Sequence, residues 1–210
     1  MKDERVIYFS DSSIQQVALT FDIGENDSNE AILNTLAVLT KYGVKATFFV
    51  TGQWAKNAAG LTKRIIGDGH QLACHSYHHY DLTKLSYDEI VAEANNGASA
   101  ITNAAGVDPR PFFRPPYGTI NTAILKALRD TGFTYCIHWS LDTLDWKYPF
   151  EREIVRRVLL AVRNGDIILM HPYVTKTAPA TDTIIAKLKE RGFGIVTVEE
   201  MISGRTPLRL

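Results

Sequence analysis

The 210-residue sequence predicts an α/β fold in which seven parallel strands and the helices between them form a barrel. Short β-branched and aromatic runs alternate with longer segments of helical period, a pattern typical of a mainly parallel sheet covered by helices. Reactive side chains follow several different predicted strands, which favours the common rim of a barrel over the single switch point of an open sheet. No linker rich in proline, glycine or serine interrupts the alternation, so we expect residues 1–210 to form a single domain.

The first three strand–helix units lie in the amino-terminal half of the chain. The helix predicted at 28–42 has its aliphatic residues on one face and ends at Gly43. Ser86, followed three residues later by Glu89, is typical of a capping box that begins a long helix. In order, we predict strand 17–21, helix 28–42, strand 45–50, helix 54–66, strand 71–74 and helix 86–105.

The remaining units follow the same pattern. Gly132, Gly165 and Gly192 each come directly after a helical segment, where glycine commonly ends a helix. An uninterrupted apolar run before His171 indicates a buried strand. In order, we predict strand 111–113, helix 122–130, strand 133–139, helix 151–163, strand 166–170, helix 182–191 and strand 194–198, followed by a short terminal turn.

The composition excludes two classes of function. The 23 Lys and Arg residues balance 23 Asp and Glu residues, whereas a protein that binds the phosphate backbone of nucleic acid is expected to carry a basic excess. The apolar runs are far shorter than the roughly 20 residues that span a bilayer. Hydrophobic residues make up 45% of the chain, as in an ordinary folded domain. We therefore expect a globular monomer that neither binds nucleic acid nor spans a membrane.

Neither the amino-terminal sequence nor the cysteines indicate an export signal or a disulfide framework. No basic and apolar leader follows Met1, which fits a cytoplasmic protein or a chain from which a leader was removed. Cys74 and Cys136 lie in apolar runs and outside any Cys-x-x-Cys pairing. We predict two buried thiols, with a disulfide as the alternative.

Four of the six histidines lie between residues 70 and 79. Among them, His75 and His79 follow the predicted strand 71–74, and the turn between them can aim both side chains inward. Imidazole is the commonest protein ligand for zinc-like metals. The alternative is that these are hydrogen-bonded structural histidines, so a metal site is one of two interpretations of the cluster.

A carboxylate and an arginine follow two other predicted strands. Asp22 is either a helix cap or turn residue, or a base or ligand that faces the barrel mouth. Arg114 precedes Pro115 and Pro116, whose fixed φ angles hold this segment in a set geometry. An arginine opposite Asp22 would lower the pKa of that carboxyl and keep it ionised. A purely structural turn is the alternative.

Two later segments complete the set of reactive residues. Asp142, Asp145 and Trp146 come after strand 133–139, and His171 comes directly after the buried strand 166–170. A histidine in that position is well placed as a general acid because an apolar wall excludes water. Alternatively, His171 is a capping or core residue, and Trp146 packs at the rim.

In this order the motifs resemble those of the polysaccharide deacetylases of carbohydrate esterase family 4, the NodB-homology domain. The resemblance covers residues 17–201, and the residues at 20–23 are similar to those of sporulation-associated bacterial members. It implies a distorted seven-stranded (β/α) barrel that resembles a TIM barrel. The motifs are 20–24 (Thr-Phe-Asp-Ile-Gly), 75–79 (His-Ser-Tyr-His-His), 114–118 (Arg-Pro-Pro-Tyr-Gly), 142–146 (Asp-Thr-Leu-Asp-Trp) and 169–171 (Leu-Met-His).

The resemblance also implies catalytic roles in the hydrolysis of an N-acetyl group. Asp22 would be the general base that activates a water molecule, and Arg114 would tune its pKa. His171 would be the general acid that protonates the departing amine, and Asp145 would orient it and raise its basicity.

Metal and substrate contacts are implied in the same way. His75 and His79 would bind a divalent metal, zinc or alternatively cobalt or nickel, that polarises the water and the acetyl carbonyl. The backbone N–H of Tyr117 would help to form an oxyanion hole, and Trp146 and Leu169 would enclose the acetyl methyl group. The implied substrate-binding residues are Tyr117, Pro116, Trp146 and Leu169.

Ile23 departs from the family pattern, which has a second aspartate at this position as the third metal ligand. Isoleucine has no donor atom, and a catalytic zinc site usually has three protein ligands. We consider three outcomes. Asp22, Glu25 or Asp27 supplies the missing oxygen; the two histidines hold the metal at reduced affinity; or the site has lost the metal and most activity.

The sequence therefore predicts a metal-dependent hydrolase that removes N-acetyl groups from a cell-wall glycan, either peptidoglycan or a chitin-like polymer. A chain without net charge agrees with an uncharged sugar polymer as the substrate. The alternatives are a glycan-binding domain with a degenerate metal site, and a deacetylase of acetyl esters such as acetylxylan. Activity on a cell-wall glycan implies a location outside the cell or at the wall, while the missing leader leaves a cytoplasmic location open.

Overall fold

Parallel strands form a curled sheet at the centre of the molecule, and helices cover its outer surface. The computed structural model describes residues 6–10, 13–25 and 27–203. The strands are β1 (Val6–Ile7), β2 (Gln16–Ile23), β3 (Thr47–Val50), β4 (Gln71–Cys74), β5 (Phe112–Phe113), β6 (Tyr135–Ile137), β7 (Leu141–Asp142), β8 (Ile167–Met170) and β9 (Gly194–Val196). The helices are α1 (Asn29–Tyr42), α2 (Gly52–Asn57), α3 (Ala59–Gly67), α4 (Tyr87–Ala105), α5 (Thr122–Asp130), α6 (Glu151–Ala161), α7 (Thr177–Glu190) and α8 (Val198–Ser203).

The strand order makes the sheet an incomplete barrel. Neighbouring strands run β1-β6-β5-β4-β3-β2-β8-β7, and β9 pairs with the first half of β2. Every strand pair in this sheet is parallel. Because parallel strands share one direction, their carboxyl ends meet at one rim, and residues that follow them come together there.

Successive residues of β2 face opposite sides of the sheet. Phe21 and Ile23 belong to the large apolar cluster that also contains α1 and α2 residues such as Leu36 and Trp54. Ala18 instead belongs to a smaller cluster made by the inner faces of the strands and by α8. Asp22 lies on the same face as Ala18, so the alternation directs its side chain toward the interior of the barrel.

Helix α8 covers the amino ends of the strands. The N–H of Val198 donates to Thr47 Oγ1 at 2.8 Å, and the N–H of Glu199 donates to Gln71 Oε1 at 3.0 Å. Thr47 and Gln71 are the first residues of β3 and β4. This helix therefore fills one end of the barrel, and the opposite rim is left for the functional site.

The predicted fold class is confirmed. All seven predicted strands occur, as β2 to β6, β8 and β9. The described residues also contain β1 and β7, which the sequence did not predict. Each has only two residues, too few for a period to be visible.

Two helices differ from the prediction. The segment predicted as one helix at 54–66 forms α2 and α3, which meet at Ala58, where φ is −120°. Alanine is a good helix former, so the sequence carries no signal for this break. Helix α7 begins at Thr177 rather than at residue 182. Pro179 lies in its first turn, where a helix needs no N–H from that residue.

Two further predictions concern membranes and thiols. Within the described ranges, no helix is long and apolar enough to cross a membrane. Cys74 and Cys136 are both buried thiols outside any disulfide, which confirms the prediction.

Candidate active site

A cavity of about 430 Å³ opens at the carboxyl ends of the strands. Seven of the residues to which the family resemblance assigns a role line it, although they come from segments distributed over 150 positions. These residues are Asp22, His75, His79, Tyr117, Trp146, Leu169 and His171. Arg114 and Asp145 are fully buried beside them. The rim of the barrel thus collects the predicted set.

Arg114 holds the Asp22 carboxylate in place by a buried ion pair. Its Nη1 donates to Asp22 Oδ1 at 2.6 Å and to Thr20 Oγ1 at 2.9 Å, and its Nη2 donates to the carbonyl of His138 at 3.0 Å. The guanidinium also lies 3.9 Å from the ring centre of Phe49. Such a fully bonded and buried arginine keeps its charge next to the carboxylate.

This arrangement keeps Asp22 ionised. Burial raises the pKa of the Asp22 carboxyl, but the charge of Arg114, with smaller contributions from His75 and His171, outweighs burial and brings the pKa below its usual value. At neutral pH the cavity therefore contains a carboxylate that can accept a proton.

The two imidazoles of His75 and His79 face each other. His75 Nδ1 lies 2.7 Å from the carbonyl oxygen of Arg114, so Nδ1 carries the hydrogen and Nε2 bears the lone pair. His75 Nε2 lies 3.2 Å from His79 Nε2 and 3.6 Å from Asp22 Oδ2. Burial lowers the pKa of His75 to about 4, so this ring is neutral at neutral pH.

The donors at this point do not fit a metal centre with three protein ligands. In the part of the chain that the structure describes, no three His, Cys, Asp or Glu side chains are grouped so that they could hold a metal ion. Ile23 is buried in the outer apolar cluster. Glu25 accepts a hydrogen bond from Gln53, and Asp27 accepts one from the N–H of Gly24 at 2.8 Å. Neither of these two acids is grouped with the histidines as a ligand. Asp22 Oδ2 lies 3.6 Å from His75 Nε2, but this carboxylate is engaged by Arg114 through Oδ1, which leaves the two imidazoles as the fitting donors.

Asp145 and His171 form a second charged pair at the rim. His171 Nδ1 lies 2.9 Å from Asp145 Oδ1, and the N–H of His171 donates to Asp145 Oδ2 at 2.7 Å. The hydroxyl of Thr177 and the N–H of Trp146 donate to the same carboxylate at 2.8 and 2.9 Å. Because His171 borders the cavity, its Nε2 is the nitrogen left to exchange a proton with a bound molecule.

The same pair sets the charge of His171. Burial lowers the pKa of His171, but the hydrogen bond and charge of Asp145, followed by the charges of Asp22 and Asp142, outweigh burial and raise the pKa above its usual value. A larger share of the ring is therefore protonated at a given pH than in an ordinary histidine, and the protonated ring can donate a proton.

Three predicted contact residues border the cavity and one does not. The side chains of Tyr117 and Trp146 are 66% and 51% exposed at its mouth, and Leu169 is buried in its wall. The ring of Tyr117 packs edge-on against His79, with ring centres 4.7 Å apart. Pro116 is buried, and its carbonyl accepts the N–H of Thr119 within the turn. It holds the loop rather than lining the cavity.

Sequence reasoning missed several residues at this site. Trp139 and Tyr173 line the cavity and were not predicted. Asp27, which the sequence suggested only as a metal ligand, also lines the cavity, and burial raises its pKa to about 6. Thr177 donates a hydrogen bond to Asp145, which lies 32 positions earlier in the chain. A local sequence pattern cannot predict a contact between residues so far apart. For Tyr173, the signal was its place two residues after His171, within the same loop.

Comparisons with known proteins show which sequences and structures this chain is similar to. The family model described as polysaccharide deacetylase matches residues 10–136. YlxY of Bacillus subtilis is 35% identical over 174 residues, which is 83% of this chain and 54% of YlxY. Peptidoglycan-N-acetylglucosamine deacetylase PgdA of Listeria monocytogenes is 37% identical over 188 residues, which is 89% of this chain and 39% of PgdA. The chain thus spans about half or less of the length of these two relatives.

A solved structure adds a second kind of relative. BA3943 of Bacillus anthracis, described as a pseudoenzyme of the CE4 family, superposes with a TM-score of 0.88 at 34% identity over 94% of this chain and 68% of that chain. A mutant of BA3943 is described as having restored enzymatic activity. The fold is therefore shared with a protein that is described as a pseudoenzyme and with a mutant of it that is described as active.

Proposed function

Because this chain belongs to the polysaccharide deacetylase family of carbohydrate esterases, we propose that it hydrolyses the N-acetyl group of a bacterial cell-wall glycan to a free amine and acetate. One observation carries the proposal. A single cavity holds a carboxylate whose pKa is lowered, Asp22, and a histidine whose pKa is raised, His171. A base and an acid with pKa values displaced in opposite directions are the pair that amide hydrolysis needs.

The attack on the acetyl group uses Asp22. Its carboxylate accepts a proton from a water molecule as the water oxygen forms a bond to the carbonyl carbon. The negative charge then moves to the acetyl oxygen, and the backbone N–H of Tyr117 is the group that we propose to stabilise it. Arg114 stays charged and keeps Asp22 ionised before the attack.

The departure of the amine uses His171. Its Nε2 donates a proton to the amide nitrogen as the carbon–nitrogen bond breaks, because an unprotonated amide anion is too basic to leave. Asp145 holds the ring through Nδ1 and stabilises the charged form. Trp146 and Leu169 at the cavity wall offer an apolar place for the acetyl methyl group.

We propose that this site binds a metal ion weakly. His75 and His79 would hold zinc, cobalt or nickel with two protein ligands instead of the usual three. A bound metal would polarise the acetyl carbonyl as a Lewis acid. The proton transfers themselves use Asp22 as the base and His171 as the acid. We therefore propose low metal affinity and turnover that added metal stimulates.

The substrate proposal is a neutral polymer of N-acetylhexosamine, either peptidoglycan or a chitin-like chain. The relative PgdA is named for peptidoglycan N-acetylglucosamine, and the zero net charge of this chain gives no field that would attract a polyanion. Action at the cell wall, outside the membrane, goes with this substrate. A role in sporulation stays a prediction.

A second candidate function is a glycan-binding domain without turnover. It is favoured by Ile23, which offers no metal donor, and by the relative BA3943, which is described as a pseudoenzyme. The cavity and the exposed rings of Tyr117 and Trp146 would serve binding equally well. The matched acid and base favour the enzyme, because a protein that only binds glycan has no use for them.

Acetate release distinguishes the candidates. The purified chain is incubated with N-acetylglucosamine oligomers, peptidoglycan and acetylated xylan, each with chelator, with added zinc and with added cobalt. We expect acetate from the first two substrates, with more in the presence of metal. Binding of the oligomer by calorimetry without acetate under any condition would establish the second candidate, and release from xylan alone would identify an esterase.

A further inference from the structure

The turn that carries both imidazoles has an unfavourable backbone. Ser76 and His79 have φ angles of 66° and 65°, in the left-handed region that residues other than glycine rarely adopt. Such conformations persist only when surrounding contacts determine them. Contacts from α4 and α2 hold the turn at residues 75–79 in this conformation.

Glu93, in the middle of α4, makes three contacts with this turn. Its Oε2 accepts the backbone N–H groups of Tyr77 and His78 at 3.0 and 2.9 Å. Its Oε1 lies 2.6 Å from His78 Nδ1. The side chain is only 9% exposed, so water competes poorly for these contacts. One carboxylate thus satisfies both central amides of the turn.

Helix α2 and a second residue of α4 complete the enclosure. The amino end of α2 donates from Gly52 and Gln53 to the carbonyls of Ser76 and Tyr77, at 2.9 and 3.1 Å. Helix α4 approaches so closely that a Cβ at Gly97 would lie 2.8 Å from the carbonyl oxygen of Ser76. Gly97 lies one helical turn after Glu93. One face of α4 therefore packs closely against the turn at Gly97 and holds it by hydrogen bonds at Glu93.

We propose that Glu93 is a positioning residue of the active site. It fixes the backbone at Tyr77 and His78, and this backbone determines how His75 and His79 direct their Nε2 atoms toward Asp22. Glu93 does not line the cavity, so it acts through the turn and not on the substrate. The catalytic consequence rests on the proposed deacetylation, whereas the structural consequence does not.

The alternative is that Glu93 only stabilises the fold as a partner of His78. The two roles predict different behaviour for conservative variants. Glu93→Asp keeps the charge but withdraws the carboxylate by one methylene, out of reach of the two amides. Glu93→Gln keeps an oxygen at full reach and removes the charge. A matched control is Glu89→Asp, the same change one helical turn earlier, where the carboxylate caps α4 through Ser86.

Two measurements test the proposal on the full chain. Amide hydrogen exchange over residues 75–80, followed by mass spectrometry, reports the order of the turn without any substrate. Steady-state acetate release from N-acetylglucosamine oligomers gives kcat and KM separately. Thermal unfolding of each variant shows how much global stability has changed.

We expect Glu93→Asp to exchange about tenfold faster in the turn and to lose about 10- to 100-fold in kcat with little change in KM. Glu93→Gln should stay within about threefold of the parent in both, since its oxygen still accepts the two amides. Glu89→Asp should lower the unfolding temperature and leave exchange in the turn unchanged.

Unchanged exchange in the turn of Glu93→Asp would overturn the proposal, whatever the activity. Equal loss of kcat in Glu93→Asp and Glu89→Asp at matched stability would reduce Glu93 to a structural role. A parent protein without turnover would contradict the proposed function alone, because the exchange result would still decide whether Glu93 positions the turn.

Discussion

At the scale of single residues, charge at the rim is set by direct neighbours and not by the neutral composition. Arg114 lowers the pKa of Asp22 and keeps this carboxyl ionised, and Asp145 raises the pKa of His171 and so favours its protonated form. The sequence suggested the first of these pairs, and the second came from the family resemblance. The sequence did not indicate that Thr177, the first residue of α7, donates a hydrogen bond to Asp145. The two residues are 32 positions apart, and a contact of this range depends on how α7 packs.

The Asp145–His171 pair predicts a change in pH dependence. In Asp145→Asn the largest of the influences that raise the His171 pKa is lost while burial remains, so the pKa falls. Since the acid must be protonated, activity is present below this pKa and lost above it. The basic limb of kcat/KM should therefore move to lower pH, with activity at pH 8 reduced about tenfold or more.

The control for this prediction is Asp142→Asn, which removes a charge near His171 without removing a hydrogen bond to it. Its basic limb should move less. The pH profile of kcat/KM and a proton NMR titration of His171 measure both effects. An unmoved limb in Asp145→Asn would show that Asp145 does not set the charge of His171.

Ile23 gives a second prediction at this scale. Its side chain is fully buried with Phe21 in the outer apolar cluster. Ile23→Asp should lower the free energy of unfolding by about 3–5 kcal/mol, because packing is lost and a carboxyl is buried without a partner. Ile23→Val should cost about 0.5–1.5 kcal/mol.

Denaturant unfolding and zinc titration by calorimetry check this pair of variants. We expect Ile23→Asp to add little zinc affinity, since the outer face of β2 points away from His75 and His79. A variant as stable as the parent that binds zinc tightly would instead show that residue 23 turns into the cavity.

At the scale of elements, the periodicity of apolar residues was sufficient to predict the long helices and strands. It did not predict the features that depend on tertiary contacts. The eight-residue strand β2 and the helices α1 and α4 were anticipated from alternation, apolar faces and the Ser86 capping box. The break at Ala58 and the two-residue strands β1 and β7 were not, because no residue type marks them. The start of α7 at Thr177, five residues before the predicted start, was not anticipated either.

The close approach of α4 to the histidine turn predicts a stability effect at Gly97. A methyl group there would lie 2.8 Å from Cys74 Sγ and from the Ser76 carbonyl oxygen. The clash should outweigh the better helix propensity of alanine, so Gly97→Ala should lose about 1–3 kcal/mol of unfolding free energy.

Gly60→Ala is the matched control, since Gly60 lies in α3 and a Cβ there would meet nothing within 4 Å. It should be neutral or stabilising by up to about 1 kcal/mol. Denaturant unfolding measures both variants, and equal stability of the two would argue against a tight contact between α4 and the turn.

At the scale of the whole molecule, the parallel barrel explains how motifs far apart in sequence form one site. Each motif follows a strand, and α8 fills the opposite end. The sequence predicted this rim because reactive residues followed several strands. It did not predict that Pro116 would be buried away from the cavity, or that Glu93 would hold the histidine turn, since both depend on the packing of loops against helices.

The central claim is that Asp22 and His171 in one cavity perform amide hydrolysis, and the comparison of the parent with Asp22→Asn tests it most directly. Asparagine keeps the shape and the contact with Arg114 but cannot accept the proton of water. With N-acetylglucosamine oligomers and added zinc, the parent should release acetate, and Asp22→Asn should release it at least about 100-fold more slowly with unchanged oligomer binding. Equal rates of acetate release from the two proteins would contradict the claim.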